Sequence, residues 1–474
     1  MSAIDIIDRR QELAVDCLII GAGAAGLVAA LSAIEQGESV LVLERDAVPQ
    51  GSTALSAGLI PAAGTRWQAA LGIDDSPARF AADILHKAHD EPDPALVQLV
   101  TTTIGPTLEW LADRHQLPFS LVDNFYYPGH SRYRMHGLPS RAGRELIDRL
   151  RTAAEAAGID ILCAAYATTL LVDPTQRIIG VRFVRPDGTT DEIGCGRLIL
   201  ACSGYGGNPE LVARHIPDMA SATYFGHVGN QGDALVWGEQ LGAATRHLGG
   251  HQGHGSVAHP AGILISWATI TEGGFQVNAR GERFSNEASG YSEQAANVLA
   301  QPDGVAWTIF DARIAGIAAQ FEDFRNALAH GAVLEADNVA SLAAAMRVPA
   351  DVLMATCDEV REAKARQRVD RFGRSFAGVP QLAPSYRAVK VTGALFHTQG
   401  GLVIDDRARV VRRDGGVIDN LFAAGGAACG VSGADASGYL SGNGLLTAVA
   451  LSSVTAVRPA SATAGSPRPP SRAR

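Results

Sequence analysis

Apolar positions along the chain change period from one segment to the next. Residues 16–20 (DCLII) are a short apolar run of strand character. Residues 24–36 continue as Ala-rich helix to a stop at Gly37, and 39–43 (SVLVL) form a second apolar run. This order predicts a βαβ unit. Residues 305–374 alternate helical apolar periodicity with charge, as in Leu342-Ala343-Ala344-Ala345-Met346 and Val352-Leu353-Met354, and predict a helical segment. Gly442-Asn443-Gly444 leads into a further predicted helix over 445–453. Residues 456–474 are rich in Pro, Ser, Ala and Arg with no apolar period and predict a disordered tail.

Glycines punctuate the βαβ unit in a telling way. Gly21, Gly23 and Gly26 stand between the first strand and the helix at the spacing of the dinucleotide fingerprint. There they give a tight turn, a close backbone approach to a pyrophosphate and close helix–strand packing. The phosphates would sit on the helix N-terminus beside Ala24 and Ala25. Glu44, at the end of the second strand and followed by Arg45, can hold both ribose hydroxyls and would repel a 2′-phosphate. A second small-residue loop follows, with Gln50-Gly51-Ser52-Thr53 and Ser56-Ala57-Gly58, and it suits an inner phosphate and a flavin.

Composition narrows the classes. A chain of 474 residues with 47% apolar residues exceeds what one hydrophobic core usually organises and can fill two. A formal charge of -9 without basic blocks argues against nucleic acid, and no apolar run approaches the ~20 residues of a membrane span. Arg9-Arg10 precedes the cofactor strand directly, so it reads as a solvated turn and not as part of a signal peptide. Six cysteines without CxxC spacing read as buried thiols of a reducing, cytoplasmic compartment, and they offer no iron–sulfur or haem relay. The histidines of RHLGGHQGHGSVAHP lack a matching carboxylate or cysteine set, so no metal site is expected.

The chain resembles the flavoprotein superfamily of fumarate reductase, succinate dehydrogenase and 3-ketosteroid 1-dehydrogenase over residues 15–455. The resemblance is carried by the fingerprint, by Leu198-Ile199-Leu200-Ala201-Cys202-Ser203-Gly204-Tyr205, and by Asn278-Ala279-Arg280-Gly281-Glu282-Arg283-Phe284-Ser285-Asn286-Glu287. It is also carried by His397-Thr398-Gln399-Gly400-Gly401 with Leu421-Phe422-Ala423-Ala424-Gly425-Gly426. It implies an α/β fold, with a Rossmann-like FAD-binding domain of the GR2 type (a parallel sheet with helices plus a β-meander) and an inserted α+β cap. The expected division is 12–245 and 388–455 for the FAD domain, 246–387 for the cap, and 456–474 for the tail. Beyond the residues already named, the resemblance implies FAD contacts at Ala167, Ser203, Gly204, Asn208, Gly425, Gly426, Ser441, Gly442, Asn443 and Leu445. Some relatives attach flavin through a histidine in the second loop; residues 50–58 contain none, so the FAD is expected to be non-covalent. The helix after Gly442 would stabilise reduced anionic flavin by its dipole if its N-terminus points at the pyrimidine.

Within that superfamily the reacting residues differ by substrate. Where a fumarate reductase places its proton-donating arginine and a second arginine, this chain reads Ala288-Ser289-Gly290-Tyr291 and Gly438-Tyr439-Leu440-Ser441-Gly442-Asn443. The stretch Ile265-Ser266-Trp267-Ala268-Thr269-Ile270 carries neither the glutamate nor the arginine of the reductase proton relay. Tyrosine at both swapped positions is similar to the ketosteroid dehydrogenases. That resemblance implies that Tyr439, with a backbone amide near Asn443 or Gly444, polarises a ketone oxygen. Tyr291 would take the α-proton, and the β-hydrogen would leave as hydride to the flavin. A free tyrosine has a pKa of about 10 and is a poor base at neutral pH, so Tyr291 needs a second donor or a positive field. Tyr127 matches the tyrosine that supports the base, with Tyr126 as the alternative.

His397 before Gly400-Gly401 follows the reductase arrangement, in which the histidine touches a substrate carboxylate. Arg132 and Arg134, in the basic loop Ser131-Arg132-Tyr133-Arg134-Met135-His136-Gly137, could pair with such a carboxylate, and His251 or His254 could touch substrate. Together these residues favour a compact cyclic ketone bearing an acid over a full steroid. The expected partners are a small-molecule substrate and an electron acceptor such as a quinone. The alternatives are an enoate reductase acting on an unsaturated carboxylate, and a flavin-binding protein without turnover.

Overall fold

The computed structural model describes residues 2–9, 11–123, 127 and 129–455. Arg10, the Tyr126 alternative and the tail at 456–474 lie outside the described residues. A nine-stranded sheet organises the cofactor half. Its order runs Ala3–Ile6, Tyr166–Val172, Ile178–Val184, Thr190–Leu200, Ala14–Ile20, Val40–Leu43, Asp160–Leu162; Val417–Ala423 also pairs with Thr190–Leu200, and Arg409–Val411 pairs in turn with Val417–Ala423. The centre is parallel: Leu198 lies opposite Leu18, Ile20 opposite Leu43, and Leu200 opposite Ala423. Both faces there are covered, so Cys17, Leu18 and Ile19 are wholly buried, as an unbroken apolar run requires. Strands Tyr166–Val172, Ile178–Val184 and Thr190–Leu200 pair antiparallel in succession and form the meander.

Helix Ala24–Glu35 follows the first parallel strand and ends before Gly37, whose φ of 76° is the left-handed turn that stops it. Helix Asn443–Val454 packs beside it. Its neighbours leave almost no solvent-exposed side chain, since Leu446, Val449 and Leu451 are fully buried.

A seven-stranded sheet carries the rest, ordered Ile263–Leu264, His251–Ala258, Tyr386–Thr398, Val305–Asp311, Phe275–Val277, with Thr223–Tyr224 and Val333–Ala336 also paired to Tyr386–Thr398. This sheet therefore draws on chain from 223 onward and on a strand that runs to Thr398. The segment 305–374 is not wholly helical. It opens with strand Val305–Asp311 (VAWTIFD), whose β-branched and aromatic residues suit a buried pleat, and contains strand Val333–Ala336 between its helices. Helix Tyr291–Leu299 lies directly on strand His251–Ala258. A Cβ at Gly253 would stand 2.7 Å from the Ser292 carbonyl oxygen, and one at Gly255 would stand 2.8 Å from the Gln294 backbone. The glycines of HQGHG thus let the helix touch the strand, which brings Tyr291 and His254 together.

Candidate active site

Both sheets contribute to one cavity of about 790 Å³, within the usual range of small-molecule and cofactor sites. Its first half is built from backbone. Gly21 (φ 104°) passes so close to Ala201 that a Cβ would lie 2.5 Å from that carbonyl oxygen, and a Cβ on Gly26 would lie 1.8 Å from the oxygen of Gly21. Gly23, Ala24 and Ala25 line the wall, while Gly26 serves the packing behind it. Helices Ala24–Glu35, Gly51–Leu55 and Asn443–Val454 all start on this wall, and none of them has a capping side chain on its N-cap residue. Thr53 Oγ1 accepts from Ala24 N at 3.0 Å and ties the first two together. Three helix N-termini opening on one elongated cavity offer N–H donors to two phosphates and to an anionic ring.

Glu44 is buried, and its two oxygens accept from Ala22 N at 2.7 Å and Asp46 N at 2.9 Å. Burial raises its pKa, and those two donors partly offset the rise. Ser52, Ser56, Ala57, Gly58, Ala167, Ser203, Gly425, Gly426, Ser441, Gly442 and Leu445 line the cavity with Arg45, Gly51 and Thr53. Three expected contacts do not. Asn208 instead caps helix Pro209–His215, its Oδ1 accepting from Glu210 N and Leu211 N. Gly204 is pressed against Thr398 and Gly426. Asn443 is fully buried, and its Nδ2 donates to Ser432 Oγ at 2.9 Å.

The second half is aromatic. Tyr127, His254, Trp267, Tyr291, Phe396, His397 and Tyr439 all line it. Tyr291 begins helix Tyr291–Leu299, stacks on His254 at 5.0 Å between centroids, and meets Tyr439 at 6.2 Å with the rings at 67°. Its Oη lies 3.0 Å from Ser441 Oγ. Burial raises the Tyr291 pKa well above 10, and the Tyr439 and Tyr127 rings add to it, with Ser441 opposing. Tyr439 is raised by burial, opposed by hydrogen bonds from the backbone N–H groups of Gly442 and Gly444. Burial pushes Tyr127 up to about 12, against the charge of Arg141.

Both imidazoles are neutral and share a tautomer. Burial drives the pKa of His254 down to about 3 and that of His397 to about 4. Ser256 N donates to His254 Nδ1 at 3.2 Å. Gln399 Nε2 donates to His397 Nδ1 at 3.0 Å; its Oε1 accepts from Ser432 Oγ at 2.8 Å, and Ser432 in turn accepts from Asn443. Ser256 thus leaves the His254 proton on Nε2; for His397 the Gln399 amide at 3.0 Å favours the same tautomer over the Thr398 carbonyl, which lies 3.4 Å from the same Nδ1. His397 also lies against Gly444, where a Cβ would come 2.8 Å from its Cε1. This relay through Gln399 escaped the sequence reading, although HTQGG contains it.

Other expected residues lie elsewhere. Arg134 is buried behind the wall, its Nε on Asp75 at 2.7 Å and its Nη1 on Asp83, over the Phe80 ring. Arg132 bonds the Asp74 and Ser131 carbonyls and does not line the cavity. Neither arginine is placed to hold a substrate acid. His251 stands behind the wall, with Nδ1 on the Gly249 carbonyl at 2.8 Å. Arg283 and Arg374 share Glu287 at 2.8 and 3.1 Å, a buried ion-pair group that fixes the turn before Tyr291. Among the described residues no cluster of three or more His, Cys, Asp or Glu could hold a metal, and no helix is long and apolar enough to cross a membrane.

A model of the FAD binding domain matches residues 16–445. The chain is 29% identical over 420 residues to a probable fumarate reductase of Shewanella frigidimarina, spanning 88% of this chain and 70% of that one. It is 25% identical over 540 residues to 4-oxocyclohexanecarboxylate 2-dehydrogenase of Sinomonas cyclohexanicum, spanning 90% and 92%. Among solved structures, 3-ketosteroid Δ4-(5α)-dehydrogenase of Rhodococcus jostii superposes with a TM-score of 0.76 at 22% identity, covering 96% of this chain and 99% of that one.

Proposed function

Since the chain belongs to the FAD-binding flavoprotein family of fumarate reductase and succinate dehydrogenase, we propose that it is an FAD-dependent oxidoreductase of CH–CH groups that desaturates a cyclic ketone between its α and β carbons. The observation that carries this reading is the grouping of Tyr291 and Tyr439, with two backbone N–H groups at the Tyr439 hydroxyl. These are donors suited to an uncharged carbonyl that gains negative charge as a proton leaves. Tyr439, its oxygen accepting from the Gly442 and Gly444 N–H groups, donates its hydroxyl to the ketone oxygen. Tyr291, as phenolate, takes the α-proton on Oη, and Ser441 donates to that oxygen before transfer. The neutral Nε2–H groups of His254 and His397 orient the ring, and Trp267 and Phe396 exclude water. Bound FAD, held non-covalently, supplies the acceptor for the β-hydride, and a quinone or similar acceptor takes up the electrons afterwards. Six unpaired cysteines favour a reducing, cytoplasmic compartment.

The Sinomonas relative, a keto-acid dehydrogenase by name, supports a single-ring substrate. The Shewanella relative supports a second reading, reduction of an unsaturated carboxylate, with His397 before Gly400-Gly401 as its residue. Anaerobic addition of steroid ketones, cyclohexanones and acidic cyclohexanones to the holoenzyme separates the two. Bleaching of the flavin absorbance by a ketone is the expected result. No bleaching, together with reoxidation of chemically reduced enzyme by an unsaturated acid, would make the protein a reductase.

A further inference from the structure

Arg141 stands in the turn before helix Gly143–Ala156, in left-handed conformation (φ 54°), and lines the cavity close enough to Tyr127 for its charge to act on that phenol. Its guanidinium bonds only neutral acceptors: the Ser120 carbonyl at 3.5 Å, Ser120 Oγ at 3.1 Å and the Leu121 carbonyl at 3.4 Å. Among the described residues it has no ion pair, whereas buried Arg134 a few residues earlier has two carboxylates. A guanidinium that pairs with no acid keeps its charge available to an anion, and its planar fork matches a carboxylate. Two other arginines of the wall also have no ion pair among the described residues, but one stands at the cofactor end and the other is exposed. Arg45 follows Glu44 at the cofactor end and lies over the Tyr166 ring at 5.2 Å, while Arg325 bonds the Ala319 and Gln320 carbonyls after helix Ala312–Ala318.

We infer that Arg141 anchors a carboxylate carried by the substrate, which makes that substrate a cyclic keto acid with its acid group at Arg141 and its ketone at Tyr439. The inference rests on the ketone reading above. It also replaces Arg132 and Arg134 in the role that the sequence suggested for them.

The test uses the FAD-loaded enzyme and two aromatic ligands of one shape, 4-hydroxybenzoate and neutral 4-hydroxybenzamide, with binding read from the spectrum of the oxidised flavin. Arg141→Gln should weaken the acid roughly 10- to 100-fold, the scale of a charge-assisted pair, and the amide by less than about threefold. In turnover, 4-oxocyclohexanecarboxylate should lose kcat/KM to the same extent while its carboxamide keeps it. Equal loss for acid and amide would overturn the proposal and make Arg141 a residue that acts on the tyrosines. Unchanged binding of both would overturn it as well. Loss of acid preference in an enzyme that oxidises no ketone leaves the anchor standing and sinks the desaturase reading; ketone oxidation with unchanged acid preference does the reverse. Arg141→Lys keeps the charge and should retain part of the preference, which also covers a Gln variant that fails to hold FAD.

Discussion

Tyr291 Oη lies 3.0 Å from Ser441 Oγ, across 150 residues of sequence, so the first residue of helix Tyr291–Leu299 is positioned by the segment that leads into helix Asn443–Val454. Removing either hydroxyl separates chemistry from placement. Tyr291→Phe should lower ketone oxidation at least ~100-fold, the scale of a general base. Ser441→Ala removes one hydrogen bond, about 1 kcal/mol or roughly fivefold. Steady-state rates at constant FAD content check both, and equal losses would mean that Ser441, not Tyr291, takes the proton.

The pH profile follows from burial. Tyr291 and Tyr439 sit well above the ordinary tyrosine pKa and Tyr127 is pushed up to about 12, so near neutrality the phenolate of Tyr291 is scarce. Its fraction grows with each unit of pH. Hence kcat/KM for ketone oxidation should climb by up to about tenfold per unit from pH 7 to 10 without a plateau. A plateau below pH 9 would show that another group accepts the proton.

The cofactor half of this site was readable because its constraints fall on backbone. Gly21 and Gly26 have oxygen atoms where a Cβ would go, so they must be glycine at a fixed spacing whatever surrounds them. The α/β fold followed from the same unit. Strand Val305–Asp311 was harder, since a short apolar run does not say whether it is helix or strand until the partner Tyr386–Thr398 is known. Charge pairing was hidden altogether. Arg134 finds Asp75 and Asp83 at sequence separations of 59 and 51, whereas Arg141 finds no acid among the described residues.

Gln399 fixes the proton of His397, and a single-atom change should reverse it. In Gln399→Glu a carboxylate faces Nδ1 instead of the amide that donates at 3.0 Å in the native protein. An opposite charge at that range typically raises a pKa by about 1–3 units. His397, held at about 4 by burial, would then titrate within the working range. The variant's kcat/KM should show an ionisation between roughly pH 5 and 7 that the native enzyme lacks. An unaltered profile would mean that His397 does not touch the reacting ketone.

Acid should destabilise this protein earlier than its carboxylates would. His130, His136 and His397 are held at about 4 and His254 at about 3, in each case by burial. Unfolded, each would titrate near about 6.5. Between these values the unfolded chain binds more protons than the folded one, so stability rises with pH through this window. It is fully present above pH ~6.5 and is lost as pH falls toward 4; each histidine forfeits on the order of 2 kcal/mol by pH 5. The lowered carboxylates Asp83, Glu287 and Asp370 act only below about pH 4, because their stabilisation persists until they protonate. The Tm of the holoenzyme should therefore fall steadily from pH 7 to 5. His136→Gln removes one of the four titrating groups; its ring is held by the Arg134 carbonyl at 2.7 Å and Thr65 Oγ1 at 2.9 Å. That variant should start less stable at pH 7 and lose less on acidification. A Tm that is flat over this range would mean that these imidazoles already carry their protons in the fold.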